Sequence, residues 1–196
     1  MNIFVLDTNP CTAAQMHCDK HVVKMIVEYA QLLSTAHRVC DGTQTHVWIG
    51  DKPKKFMQLP GETPDKRLCY NLTHANHPAA IWARHNSANY HWLVQLLSEC
   101  LTEYTARYNR MHATSVYLPF FRHEPMNLRA SMVRTQFPQT MPPEYQVPND
   151  PVLAYQAFYL GSKIRFARWT NRRVPEWFAT AIIKKGHDVS QFQRAR

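Results

Sequence analysis

The hydrophobic positions of the chain fall into a few periodic segments that are separated by stretches rich in proline and glycine. After Pro10, apolar residues recur at i, i+3, i+4 and i+7: Val22, Met25, Ile26, Tyr29, Leu32, Leu33 and Ala36. This spacing predicts an amphipathic helix of about 25–30 residues that begins at Pro10, with Thr8 or Asn9 as its cap. The apolar run 3–6 before it predicts a short strand or extended segment.

Two further long helices are predicted, one after His77-Pro78 and one over 152–169 after Pro151. A short helix is expected at 175–185. Residues 41–76 and 113–150 are rich in turn-forming residues, which predicts loops with one short helix near Arg129. The pattern therefore favours an all-α fold, in which residues 1–196 form one compact domain of three long helices, short helices and long proline-rich loops.

Composition narrows the class of partner. The chain carries a net charge of +9 and eleven histidines, and its basic residues are concentrated after position 163. A basic surface favours a polyanion such as nucleic acid, although a basic protein without such a partner is the alternative. Five cysteines without a CxxC pair suit a reducing compartment, so a cytoplasmic location is expected. No apolar run approaches the roughly 20 residues that cross a bilayer, so no membrane partner is expected.

A polar stripe runs along the first predicted helix. At 100° per residue His17, His21, Lys24 and Glu28 fall within a wedge of about 60° beside the apolar face. The stripe could be a solvated surface. It could also be a metal site, since histidines at i and i+4 can share an ion with a cysteine; no HExxH or CxxC supports this, and neither a metal nor a cofactor is expected. If the stripe instead lines a catalytic cleft, Lys24 would form an imine or hold a phosphate.

Further candidates for contacts with DNA phosphates lie outside this helix. The loop before the second helix carries His74, Asn76 and His77 where a helix N-terminus favours anions, and His85 follows on that helix. An interhelical hydrogen-bond network is the alternative. Near the C-terminus aromatic and basic residues alternate, as on surfaces that stack bases and pair with phosphates, although the tyrosines could instead be core. These residues are Tyr155, Tyr159, Lys163, Arg168, Arg172 and Arg173.

Several motifs resemble a group of small bacteriophage proteins. These motifs are the start MNIFVLD, CDKHVVKM at 18–25, HPxxxW at 77–82, a Tyr-rich segment ending GxK at 155–163, and WxxRxxPxW at 169–177. More distantly, the chain is similar to the phage pyrimidine-dimer DNA glycosylase, endonuclease V. This similarity rests on His17 in the first helix, on LLSECL at 96–101, and on the stretch 155–163.

The resemblance implies excision of a damaged or modified pyrimidine from duplex DNA in the cytoplasm of a phage-infected bacterium, with the base extruded. One departure concerns the nucleophile, which in that family is the amine of an exposed threonine beside a glutamate. Here Asn2 follows Met1, and Lys24 stands near the glutamate's place with Glu28 one turn later. Excision through an imine would then use the amine of Met1 or Lys24.

Two other functions remain open at this point. Phage systems that hypermodify thymidine include amino-acid:DNA transferases, which attach a free amino acid to an activated 5-substituted pyrimidine. His17, His21, Lys24 and the Arg172-Arg173 turn would suit that reaction, by analogy of function alone. The third class is a non-catalytic DNA-binding accessory protein, for which the basic charge would suffice.

Overall fold

The computed structural model describes residues 1–63 and 66–195, without the side chains of 47–49 and 54. The described part is mostly helical. Its α-helices are α1 (Pro10–Met16), α2 (Asp19–Asp41), α3 (Pro78–Ala83), α4 (Ser87–Tyr108), α5 (Leu118–Phe121), α6 (Pro151–Phe158) and α7 (Glu176–Lys184). A π-helical turn, Tyr159–Lys163, continues α6. None of the helices in these ranges has the length and apolar character needed to cross a bilayer.

Two small sheets correct the all-α prediction. Strands β1 (Thr43–Ile49) and β2 (Lys52–Gln58) form an antiparallel hairpin in the segment expected to be a loop. Gly50 supplies the positive φ (59°) that a tight hairpin turn requires. Strands β3 (Trp169–Thr170) and β4 (Gln193–Arg194) pair in parallel. The run 3–6 is buried, as its composition suggests, but it joins no strand.

The long helix predicted from Pro10 is interrupted at His17 and Cys18. In a continuous helix the carbonyl of Gln15 would accept from the amide of Asp19. Here the guanidinium of Arg107 donates to the carbonyls of Gln15 (3.0 Å) and His17 (2.8 Å). The Asp19 amide donates instead to the carbonyl of Arg168, at 2.8 Å. Tertiary hydrogen bonds thus replace the helical ones and separate α1 from α2.

The other predicted long helices are also shorter than expected. The second is divided into α3 and α4, because the Asn86 side chain accepts from the Asn89 amide and caps α4 as a new helix. The third leaves α-helical geometry after Phe158. The short helix expected near Arg129 is absent from the described chain, whereas the predicted C-terminal helix is confirmed as α7.

The core lies where α4 packs against α1 and α2. The buried segment 3–6 is threaded into it, so the start of the chain is held beside α2 and α6. Phe4 shows this placement, since its ring lies 5.5 Å from that of Tyr155 and 4.3 Å from that of His21. The packing brings residues from both ends of the sequence to the first turns of α2.

Candidate functional site

His17 and His21 do not form a pair on one helix face. His17 ends α1 and is fully buried. Its Nδ1 donates to the Ala13 carbonyl at 2.6 Å, and its Nε2 accepts from the Tyr29 hydroxyl at 2.6 Å. Burial lowers the pKa of His17 to about 4, so the ring is neutral near pH 7. With both nitrogens engaged, His17 is a core histidine rather than a catalytic residue.

His21 lies on α2 with only 5% of its surface exposed. Its Nδ1 shares a hydrogen bond of 2.5 Å with the Tyr159 hydroxyl, and when the hydroxyl donates, the Nε2 hydrogen is free to act as a donor. Burial, and then the charges of His17, Lys163 and Lys24, lower its pKa to about 2. A ring so resistant to protonation can donate a hydrogen bond but is a poor general base.

Beside His21 a cleft of about 210 Å³ opens between α2 and the end of α6. On its α2 wall the amine of Lys24 lies 3.1 Å from Oε1 of Glu28. The Lys24 side chain is 71% exposed and that of Glu28 only 15%, so the lysine lies at the rim and the carboxylate inside. The cleft is lined by Met1, Asn2, Phe4, His21, Lys24, Met25, Glu28, Phe158 and Lys163.

The N-terminal segment is fixed against Glu28 by hydrogen bonds. The Asn2 amide donates to Oε2 of Glu28 at 3.0 Å, and the Met1 nitrogen lies 3.9 Å from the same oxygen. Oδ1 of Asn2 accepts from the hydroxyls of Tyr155 (2.6 Å) and Thr140 (2.5 Å). These bonds hold the backbone of residues 1 and 2 in one position at the cleft.

The π-helical turn places Lys163 on the opposite wall. In this turn Tyr159 and Lys163 both face α2, one bonding His21 and the other lining the cleft. Gly161 permits the turn to pack on Tyr145, because a Cβ there would lie 2.2 Å from the tyrosine ring. The Lys163 amine lies 4.2 Å from the centre of the Phe158 ring. Burial, followed by the charges of Lys24 and Arg165, lowers the pKa of Lys163.

Around the rim of the cleft the charges are mainly positive. Lys24 and Lys163 line it. Lys20 is exposed one turn before Lys24, with its amine 5.2 Å from the Phe166 ring, and Arg165 is exposed two residues after Lys163. Among the described residues that line the cleft, Glu28 is the only acid. This distribution favours an anionic ligand.

The loop 73–77, here called the histidine loop, reaches the same face of α2. The Thr73 carbonyl accepts from the Thr35 hydroxyl at 2.9 Å, which docks the loop about two turns beyond Glu28. His74 and Asn76 are exposed on this loop. The Nδ1 of His77 accepts from the Ala79 amide and caps α3. Burial lowers the pKa of His77, and the nearby Glu28 opposes the shift.

Most of the other predicted DNA contacts have internal roles. Tyr155 and Tyr159 are fully buried, so the prediction that they stack on bases is wrong and their alternative core role is confirmed. Arg172 binds the buried carboxylate of Glu103 at 2.6 Å, while 38% of its own side chain is exposed. The Arg168 guanidinium donates to the Ala167 carbonyl at 2.6 Å. Arg173 and His85 are exposed but do not line the cleft.

Comparisons with known proteins leave the bacteriophage resemblance as a prediction. No protein-family model matches the chain, and no curated protein or solved structure matches it either. The candidate function therefore depends on the geometry of the cleft.

The buried histidines predict a loss of stability in acid. Burial lowers the pKa of His17 and His37 to about 4 and that of His21 to about 2. The unfolded chain binds protons at its histidines from about pH 6.5, whereas the native state excludes them. These histidines therefore give their full contribution to the free energy of unfolding above pH 6.5. Below that pH, each of them lowers the free energy of unfolding by about 1.4 kcal/mol per pH unit. We expect the free energy of unfolding, measured with urea, to fall steeply from pH 6.5 towards 4.

A matched pair of variants tests whether the buried histidines cause the loss of stability in acid. His37→Gln should lower the slope of stability against pH by about one third, since it removes one of three such groups. His85→Gln, at an exposed position, should leave the slope unchanged. Equal slopes for wild type and His37→Gln would show that the buried histidine is not responsible.

Proposed function

We propose that this chain excises a damaged or modified pyrimidine from duplex DNA, with Lys163 as the attacking amine. The observation that carries this proposal is a partly buried lysine of lowered pKa in the same cleft as the inward-facing carboxylate of Glu28. An amine must be unprotonated to attack carbon, and a lowered pKa increases the unprotonated fraction at neutral pH.

Lys163 suits the nucleophilic role better than Lys24 does. The Lys24 amine is exposed and is paired with Glu28 at 3.1 Å, at the rim where a phosphate would lie. Lys163 is partly buried and lines the opposite wall. We therefore place phosphate binding at Lys24 and imine formation at Lys163, which replaces the two sources of the amine expected from the sequence.

The proposed reaction joins the Lys163 Nζ to C1′ of the target nucleotide and breaks the bond from C1′ to the base. The base leaves with that bonding electron pair and takes up a proton. The amine loses one proton on attack and a second as the C1′–O4′ bond breaks; O4′ keeps that electron pair and takes up a proton, so the sugar ring opens and a C1′ imine forms. Glu28 stabilises positive charge on the sugar and accepts a proton, while neutral His21 can donate a hydrogen bond from Nε2.

The size and charge of the cleft favour an extruded nucleotide as the substrate. At about 210 Å³ the cleft is smaller than the roughly 300–1,000 Å³ typical of pockets for drug-sized ligands. A single sugar and base could enter it, but a duplex could not, so the nucleotide would leave the base stack. Lys24 at the rim, with the exposed Lys20 and Arg165 near it in the chain, would then contact the flanking phosphates.

The rim cations also favour a second candidate, the transfer of an amino acid to an activated pyrimidine in DNA. In that reaction Lys20, Lys24 and Lys163 would hold the leaving phosphate, and the free amino acid would supply the amine. The two candidates differ in product, since transfer leaves the glycosidic bond intact. Mass analysis of nucleosides from 5-phosphomethyl-uracil DNA incubated with amino acids would show an adduct only for the transferase.

Borohydride trapping tests the excision proposal. Wild-type protein is incubated with ultraviolet-irradiated duplex and, separately, with duplex that contains an abasic site, in the presence of borohydride. An imine would be reduced to a stable protein–DNA complex visible on a denaturing gel. The exposed variant Lys184→Met should trap as wild type does. Absence of a trapped complex on both DNAs would contradict imine chemistry.

A further inference from the structure

The β1–β2 hairpin is an exposed basic arm, and none of its residues lines the cleft. Segment 43–58 contains three lysines against one aspartate. Lys52 and Lys55 are exposed, and so is His46, which lies opposite Lys55 in the antiparallel register. Cross-strand partners share a face of the hairpin, so His46 and Lys55 present their side chains together.

The inner end of this arm, at Phe56 and Met57, is firmly attached to α2. The Arg38 guanidinium, fully buried, donates to the Met57 carbonyl of β2 and to both carboxylate oxygens of Glu62. The Phe56 ring lies between two cations, with the guanidinium carbons of Arg67 and Arg38 at 3.8 and 4.8 Å from its centre. These contacts fix the inner end of the hairpin, at Phe56 and Met57, to α2.

The arm is attached to α2 on the same side of the helix as the cleft. At 100° per residue Lys24, Glu28, Thr35 and Arg38 fall within about 80° of one another. Lys24 and Glu28 form the cleft, Thr35 docks the histidine loop, and Arg38 holds the hairpin. The helical rise places Arg38, which binds the inner end of the hairpin, about 21 Å along α2 from Lys24, a length equal to about six base pairs of duplex.

We infer that the hairpin is a second DNA-contact element, in which Lys52 and Lys55 bind backbone phosphates of the duplex beyond the roughly six base pairs that separate the cleft from Arg38. This inference rests on the proposed function, since it takes the occupant of the cleft to be a nucleotide in duplex DNA. The partner is double-stranded DNA because the spacing along α2 needs a stiff polyanion, and a duplex stays straight over this length.

The arm can be tested with two duplexes of different length. Both carry a central stable abasic analogue; the long one has about twelve base pairs on each side, and the short one, closed by loops, about four. We expect Lys52→Glu/Lys55→Glu to bind the long duplex about tenfold more weakly and the short one with unchanged affinity. The slope of log K against log salt on the long duplex should decrease by about two.

The control is Lys184→Glu/Lys185→Glu, which makes the same change of charge at the exposed end of α7. If the hairpin variant and this control lose the same affinity for the long duplex, the inference is wrong. Trapping on a short duplex with a natural abasic site reports the cleft alone. If the hairpin variant loses affinity for the long duplex but the wild-type chain forms no trapped complex, the arm binds DNA and the excision proposal is wrong. If the wild-type chain is trapped but the hairpin variant keeps its affinity, excision stands and the inference about the arm is wrong. A wild-type chain that binds neither duplex would overturn both.

Discussion

Lys163→Met is expected to abolish the trapped protein–DNA complex, with a loss of about 10⁴-fold or more in the rate of its formation. Methionine keeps the length and apolar stem of the side chain but has no amine to attack C1′. Lys24→Met should still form the complex, at higher DNA concentration, because Lys24 would bind a phosphate from the rim. The measurement is single-turnover trapping on abasic duplex, with DNA affinity determined in parallel.

Lys163→Arg separates the chemical role of Lys163 from its charge. Arginine preserves the positive charge but remains protonated, so this variant should bind DNA normally and form no complex. A complex that persists at the wild-type rate in Lys163→Arg would exclude Lys163 as the nucleophile. The amine would then be that of Lys24 or, in a chain that starts at Met1, the α-amine next to Glu28.

Glu62→Gln is expected to reduce the free energy of unfolding by about 3–5 kcal/mol, because it leaves Arg38 charged and buried without a counter-ion. Neither side chain of the pair is exposed, and two parallel hydrogen bonds of 2.8 and 2.9 Å join them. Burial alone would raise the pKa of Glu62, but hydrogen bonds from Arg38 and from the Leu59 and Leu68 amides hold it below its usual value. Urea denaturation at pH 7 measures the loss.

An exposed ion pair provides the control for this prediction. Lys24→Gln removes the partner of Glu28 at a side chain that is 71% exposed, and should change stability by less than about 0.5 kcal/mol. A loss below about 1 kcal/mol for Glu62→Gln would mean that Arg38 is hydrated or repaired locally. In that case the inner end of the hairpin would not be firmly attached to α2.

The sequence predicted the main helices because their apolar faces are long and periodic. Met25, Tyr29 and Leu33 follow the helical repeat, and all three are buried. The break at His17 was not predictable from local pattern, because Arg107, ninety residues away, takes the carbonyl that a continuous helix would use. The hairpin was missed because the prolines and glycines of the whole segment 41–76 outweighed the strand-forming residues among them.

The candidate site was only partly predictable, because contacts between residues distant in sequence place some of its side chains. Helical periodicity correctly placed His21, Lys24 and Glu28 on one face of α2. It also placed His17 there, which the helix break moved into the core. Lys163 reaches the cleft through a π-helical turn, and Asn2 through hydrogen bonds to Tyr155 and Thr140. Neither a π turn nor contacts between chain ends have a periodic signal in sequence.

The most direct measurement of imine formation is the location of the reduced linkage. Wild-type protein trapped on abasic duplex is digested with protease and nuclease, and the modified peptide is sequenced by mass spectrometry. The predicted result is a reduced sugar adduct on Nζ of Lys163. An adduct on another amine would contradict the role of Lys163, and a chain that forms no adduct would contradict excision through an imine altogether.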